Sequence, residues 1–437
     1  MFEVPRVNIA VVALGALSVV GAAAVSALMP AIAGVMVLAG AVAVAAALLG
    51  QRSLPWLLVG VAVIPYFDYS AGFLVPPVVP RGLIVALVIS VVLAPWAWSL
   101  LSHGPKHGRN VSELVLPSVL VVLGLISTRQ LGAGDMLDII PAAFFGGAFA
   151  YLCAQRFPDV RDWGGPATAG LIVLLLTGAE AYLKSPGSRL GGFSGYPILY
   201  AALLVALLPS ALLWTYKRAA YLAPLLAAGA AAAVVASETR SAWIAVVLMA
   251  LAALVVTARQ RRLRVVGLIF VAMALAGTLI GWNDSLRGIV GERLSAPALT
   301  SEASTHRQSI YGFTADKLAS SPLIGLGGPG AAKEELGGST GIGASDNGYL
   351  ALGSDLGLLG MAIGLIPAFM ALLVLGRSAW GGDFEAERLA MALGLLGLAV
   401  VTVFFDIFYW PQSSLLAFGM AGVLAAGRAT GPHRELA

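Results

Sequence analysis

The feature that most constrains this chain is a succession of apolar blocks, each about as long as a bilayer is thick. Fourteen are legible, over residues 7–29, 31–50, 54–76, 81–101, 112–128, 135–153, 164–183, 196–216, 219–237, 240–257, 264–282, 348–376, 387–409 and 413–428. A membrane-spanning helix takes about 20 predominantly apolar residues. The pattern therefore predicts an all-α, polytopic integral membrane protein with about 12–14 transmembrane helices, the blocks at 112–128 and 413–428 being the two weakest. Composition agrees: 59% of the 437 residues are hydrophobic and 11% charged, against about half and a quarter in a soluble domain. So few charges exclude a water-soluble globule. The single cysteine, Cys153, excludes an internal disulfide framework. The first block follows the short head Met1–Arg6, and a second block follows it at once. A retained anchor is expected there rather than a cleaved leader.

Basic residues give the expected orientation. Sixteen of the 26 Lys and Arg fall in loops that the block order puts in the cytoplasm or at the two termini, with Arg259, Arg261, Arg262 and Arg264 as the densest group. Bases near the end of a span resist translocation, so both termini are expected inside and the long hydrophilic stretch 283–347 outside. The net charge of +4 then reflects cytoplasmic loops, and no nucleic-acid partner is expected. Four regions follow: N-terminal spans 1–183, central spans 184–282, an extracytoplasmic loop with helices at 283–347, and C-terminal spans 348–437.

Ten bases remain outside, and eight of them fall in three neighbouring features. An external cationic group runs against the charge rule and suits an anionic ligand met at the membrane face. The first feature, Lys184 to Pro197, is a turn-rich loop with Gly191, Gly192 and Gly195, in which Arg189 offers a donor fork for phosphate oxygens. The same arginine also reads as a connector side chain reaching lipid headgroups. The second feature, Ser237 to Trp243, puts Arg240 in the first turn of a span behind Ser237 or Thr239 as cap. The helix dipole disfavours a cation there, so Arg240 needs an anion. Either Glu238 or a bound phosphate supplies it.

The third feature lies in the long loop. Residues 303–320 read as a helix stopping before Pro322, with Arg307, Tyr311, Thr314 and Leu318 on one face and His306 beside Arg307. Ser321 to Gly330 follows, a glycine-rich turn whose backbone N–H groups can form an anion nest. Then Asp346-Asn347-Gly348-Tyr349 enters the next span, with Asp346 or Asn347 as its N-cap. A carboxylate at that face is also a candidate general base.

Arg189 to Pro197, Thr239 to Trp243, Arg307 with Pro322 to Gly327, Asp346 to Leu350 and Leu356 to Gly360, in that order and spacing, resemble the O-antigen ligase and polymerase family of membrane glycosyltransferases. The resemblance covers roughly 185–375. It implies a GT-C-like helical membrane fold in a bacterial inner membrane, with the active site facing outside. The partners it implies are a polyprenyl-diphosphate-linked glycan donor, a glycan or lipid acceptor, and membrane lipids, with no metal or other cofactor. Carried onto this chain, Arg240, Arg307 and Asp346 would be catalytic. Arg189, Lys184, His306, Tyr311, Asn347 and Tyr349 would bind substrate, with Tyr196, Tyr311 and Trp243 as sugar platforms. Asp346 stands where ligases of the family carry histidine, and this leans the resemblance toward repeat-unit polymerases. An unshifted carboxylate is a weak base near neutrality and nearby arginines weaken it further, so His306 is the alternative base. Ligation to lipid, wall polymer or protein is the second reading. A third, transport of a lipid-linked sugar or solute, draws on Asp68, Asp138, Glu180 and Asp406 in or beside spans. It meets no paired broken helices in matching halves. A passive scaffold would leave the external arginines without a purpose.

Overall fold

Long apolar runs rich in Ala, Leu and Val leave the backbone one economical way to satisfy its polar groups away from water, which is the α-helix. The computed structural model describes residues 54–63, 112–127, 140–156, 160–185, 189–191, 196–257, 302–332, 335, 347–380 and 384–426. The blocks expected at 7–29, 31–50, 81–101 and 264–282 lie outside these, as do Asp68, Asp138 and Asp346. Among the described residues there are eleven α-helices, two short 3-10 turns and no strand. Three helical stretches, Val160–Lys184, Pro197–Arg218 and Gly348–Ala379, are long and apolar enough to cross a membrane. The architecture is that of an all-α polytopic membrane protein.

The chain divides into two compact units, one of Met1–Asp162 with Tyr409–Ala437 and one of Trp163–Phe408. In the first, α1 (Leu54–Val63), α2 (Ser112–Ser127), α3 (Ile140–Arg156) and α11 (Pro411–Ala426) are described. The α3–α11 pair forms its centre, with α2 against α3 and α1 against α11. Small residues let the pair close: a methyl on Gly147 would lie 2.7 Å from the Phe418 ring, and Ser414 Oγ donates to the Ala143 carbonyl at 2.8 Å. With little hydrophobic drive between helices in lipid, such close approach and interhelical hydrogen bonding hold them together.

The second unit holds α4 (Gly164–Lys184), α5 (Pro197–Arg218), α6 (Ala223–Ala236), α7 (Arg240–Thr257), α8 (Glu302–Ser320), α9 (Gly348–Ala379) and α10 (Ala386–Thr402). The helix α5 is its axis, buried along Leu199 to Leu213 and packed by α4, α6, α7 and α10. A helix apolar on every side belongs in such a position. Tyr200 fixes its first turn by donating from its hydroxyl to the Leu174 carbonyl of α4 at 2.9 Å.

The sequence predicts a single span from 348 to 376, and here the structure differs. Gly357 has φ 64° and ψ −155°, and the helix folds at that residue. Residues before the fold lie against residues after it. A methyl on Gly360 would collide with the Leu352 carbonyl oxygen, and one on Gly364 would lie 2.8 Å from Leu352 Cδ1 and 3.4 Å from Tyr349 Cδ1. In a straight helix residues 352 and 360 would stand about 12 Å apart along the axis. The element is thus a helical hairpin. Its first arm is 348–356, its apex Gly357, and its second arm, 358–379, is about 33 Å long and sufficient by itself to cross a bilayer. The apex needs glycine because that φ/ψ combination is essentially closed to residues with a Cβ.

Candidate functional site

Connections and contacts gather one end of the second unit. The end of α4 joins the start of α5 through residues 185–196, and the end of α6 joins the start of α7 through Ser237 to Thr239. The start of α9 meets the segment after α10: a methyl on Gly348 would lie 2.8 Å from Thr402 Cγ2 and 2.9 Å from the Phe405 carbonyl. Tyr196, which precedes α5, stacks on Phe405 with ring centroids 5.6 Å apart.

The first two sequence features meet at this end. Leu190 N–H donates to the Ala236 carbonyl at 3.0 Å, tying the 184–195 loop to the α6–α7 corner. Arg189 Nε donates to the Ser237 carbonyl at 3.4 Å and lies 3.9 Å from Glu238 Oε2, the arginine side chain 40% exposed and the glutamate 10%. Two residues on, Arg240 opens α7. Thr239 holds the N-cap position, its carbonyl accepting from Ala242 and Trp243. Ser237 is buried and braces the corner: Oγ donates to the Val234 carbonyl at 2.7 Å and accepts from Thr239 N–H at 3.3 Å. Glu238 carries φ 53°, a left-handed backbone that costs a residue with a Cβ roughly 1–2 kcal/mol. The corner therefore sets Arg189, from the 184–195 connection, beside the Glu238 carboxylate, two residues before Arg240 in the chain. Of the two anions offered to Arg240 by the sequence, Glu238 stands by Arg189.

Lys184 pairs with Glu180 one turn back on α4 at 2.7 Å, both exposed. Such a pair is a weak, solvated contact. Trp243, expected as a sugar platform, donates from Nε1 to the Val234 carbonyl at 3.1 Å and pins α7 to α6. Tyr196 is likewise engaged, on Phe405.

The glycine-rich turn is where the structure most alters the sequence reading. It does form a nest of N–H groups, but the anion in it is the chain's own. Asp355, fully buried in the first arm of α9, accepts at Oδ2 from Gly330 N–H and at Oδ1 from Ala332 N–H, both at 2.6 Å. Its carbonyl accepts from Gly327 and Gly328 N–H at 3.0 and 3.1 Å, and the Ser354 carbonyl accepts from Leu326 N–H at 2.8 Å. Leu358 N–H, freed by the fold at Gly357, donates to the Pro322 carbonyl at 2.7 Å. The backbone of Gly325 (φ 55°) lies against Ser354–Gly357, too close for a Cβ. The turn that follows α8 is thereby latched onto the apex of the α9 hairpin. Asp355 escaped the sequence reading. The signal for it was present, an acid inside an apolar run beside a Gly-x-x-Gly pair, Gly357 and Gly360.

Of the third feature, α8 runs Glu302–Ser320 and packs on α9. Thr314 is buried, so the face it shares with Tyr311 and Leu318 turns toward protein. Tyr311 is half-buried. Arg307 and His306 sit in the second turn of α8, their side chains outside the description. Lys317 reaches Glu335, beyond the turn, at 2.5 Å. At the start of α9 the N-cap is Asn347: its Oδ1 accepts from Tyr349 and Leu350 N–H, each at 3.0 Å. Tyr349 donates from its hydroxyl to the Ala399 carbonyl at 3.1 Å and sets its ring against Phe408. These bonds fix the backbone that follows Asp346. Asp406 is buried, with its Cα 3.2 Å from where a Gly348 methyl would be. Among the described residues no three His, Cys, Asp or Glu side chains gather in a metal-holding group.

A family model described as O-Antigen ligase matches residues 225–365. The match begins in α6 and ends in the second arm of the α9 hairpin. It takes in Arg240, Arg307, the latched turn and the capped start of α9, and leaves Lys184 and Arg189 before it. Over this segment, about a third of its length, the chain is similar to the O-antigen ligase family. No curated protein matches the chain.

Proposed function

We propose that this membrane protein is a glycosyltransferase of the bacterial inner membrane, working at its outer face. It takes a glycan from a polyprenyl-diphosphate carrier and joins it to an acceptor hydroxyl, in the manner of a repeat-unit polymerase. The observation that carries the proposal is the α6–α7 corner, where Arg189 stands by Glu238, Arg240 opens α7 two residues on, and the backbone holds a left-handed residue. Strain of that kind persists where surrounding structure enforces it, and such positions cluster at ligand sites.

The acceptor oxygen attacks the anomeric carbon, the bond from that carbon to the diphosphate oxygen breaks, and the electron pair leaves with the diphosphate. Arg240 and Arg307, with Arg189, hold the diphosphate and stabilise the charge that grows on the leaving oxygen. Asp346 orients the acceptor and takes its proton, with His306 as the alternative acceptor of that proton. Asn347 and Tyr349, held by the cap and the Ala399 bond, contribute to substrate binding at the start of α9. No metal has a part in this scheme. Attachment of a finished glycan to lipid, wall polymer or protein is the second reading, favoured by the description of the family model.

Reconstituted protein supplied with a lipid-linked glycan and an acceptor tests both. Arg240→Ala and Arg307→Ala should each slow transfer about a hundredfold, the usual loss for one electrostatic contact to developing charge. Lysine at either position should recover part of it, since charge is kept and the bidentate fork lost. Alanine variants that work at the parental rate would refute the diphosphate clamp. A ladder of products marks a polymerase, a single addition a ligase, and unchanged glycan on the far side of the vesicle a transporter.

A further inference from the structure

The latched turn displays two large apolar side chains outward. Leu323 and Ile324 are 71% and 65% exposed, and Leu358 and Leu359, next to them at the hairpin apex, 51% and 53%. The four form one patch, because the peptide between Leu323 and Ile324 lies directly on Gly357 and Leu358 N–H bonds to the Pro322 carbonyl. They cannot fold inward. The bonds from Leu326, Gly327, Gly328, Gly330 and Ala332 to Ser354 and Asp355 fix the turn on its other side.

The patch is continuous with a second surface. Leu365, Phe369 and Leu372 recur at helical spacing from Leu358 along the second arm of α9, and all are exposed. An apolar stripe of this length on a helix long enough to span is a lipid-facing surface. Arg377 and exposed Trp380 close its far end, the residue types that sit at a membrane boundary. Counting from Arg377 at about 1.5 Å per residue, Leu358 stands about 28 Å away, close to the thickness of the hydrocarbon core. The turn thus falls at the opposite edge of the hydrocarbon.

We propose that Leu323 and Ile324 are embedded among phospholipid acyl chains at the edge of the leaflet opposite Arg377 and Trp380. The turn would then be a membrane anchor that holds the C-terminal end of α8 at headgroup level. This inference is independent of the glycosyl-transfer reading. An apolar tip fixed by hydrogen bonds to a buried carboxylate is the arrangement expected of an interfacial anchor, since patches of this kind mark membrane or partner contacts.

The test uses full-length protein with Cys153 replaced by alanine and one cysteine introduced at Ile324 or, as a control, at exposed Ser320 on the last turn of α8. Each carries a polarity-sensitive fluorophore. The proteins are reconstituted in phosphatidylcholine vesicles with nitroxides either near the headgroup or near the methyl end of the acyl chain. The Ile324 label should emit to the blue of the Ser320 label. It should be quenched more by the shallow nitroxide than by the deep one, and resist aqueous iodide. An Ile324 label that iodide quenches and neither nitroxide reaches would overturn the proposal. So would a blue-shifted label insensitive to both nitroxides, or one whose emission follows the protein-to-lipid ratio, since the patch would then be covered by protein. Thermal unfolding of each labelled variant in detergent at the parental temperature establishes that the readout comes from the folded chain.

Discussion

Two places in the second unit set an anion among donors, and they do so in opposite ways. At the latched turn, Asp355 is wholly buried and its two oxygens accept backbone N–H bonds at 2.6 Å. At the α6–α7 corner, Glu238 and Arg189 stand 3.9 Å apart, with the arginine 40% exposed and the glutamate's backbone strained. Buried and short, the first is an internal joint. Its donors are amides, which cannot follow a departing ligand. Longer and partly solvated, the second is a contact between two side chains, one of them open to the surface. Both were legible as anion-binding sequence, glycine-rich in one case and arginine-bearing in the other. Both hold a carboxylate of the chain itself, so what separates them is burial and distance: two amide bonds of 2.6 Å around a sealed Asp355, against a 3.9 Å contact to a partly exposed arginine.

Substitutions can break that contrast. The largest effect is expected at Gly357→Ala, which forces a Cβ into a φ/ψ region closed to it and onto the Leu323–Ile324 peptide. The loss should be about 3 kcal/mol or more, read as a lowered unfolding temperature in detergent. Asp355→Asn should come next. One amide nitrogen then faces a backbone donor where an oxygen stood, and the loss of a charged acceptor should cost about 2 kcal/mol. Limited proteolysis should cut between α8 and α9 sooner than in the parent, with α6 and α7 unaffected. At the corner the effect should fall on turnover and not on folding. Arg189→Ala should lower transfer by about tenfold or more while the unfolding midpoint holds. The smallest change is expected from Glu238→Gly, which relieves the left-handed backbone and should raise stability by about 1 kcal/mol. If that variant is also slower in transfer, the strain serves the site.

The sequence made the helices legible because hydrophobic length is additive and local. Blocks expected at 164–183, 196–216 and 240–257 appear as Gly164–Lys184, Pro197–Arg218 and Arg240–Thr257. Arg189 and Arg240 stood out for an equally simple reason, that a base expected on the outer side offends the charge rule, but the contact of Arg189 with Glu238 is set by the fold. The hairpin was not. Leu356 to Gly360 is apolar throughout, and hydropathy carries no information about φ, so the fold at Gly357 reads as more of the same span. Asp355 was hidden by the same averaging. Trp243 and Tyr196 looked like sugar platforms because aromatic residues near a membrane face serve either purpose. The structure adds what no hydropathy pattern holds, their protein partners: Trp243 bonds the Val234 carbonyl and Tyr196 stacks on Phe405.

The way α9 begins has a consequence for biogenesis. Gly348 rests on Thr402 and Phe405, and Tyr349 is tied to Ala399 and Phe408, all about fifty residues downstream. A ribosome delivers those partners after the arm that needs them, so the first arm of the hairpin stays unseated until α10 has been synthesised and inserted. Chains released early, before residue 399, would hold the arginine corner and the latched turn while the backbone behind Asp346 had no docking place. Assembly of this end of the second unit is therefore timed by the last quarter of translation.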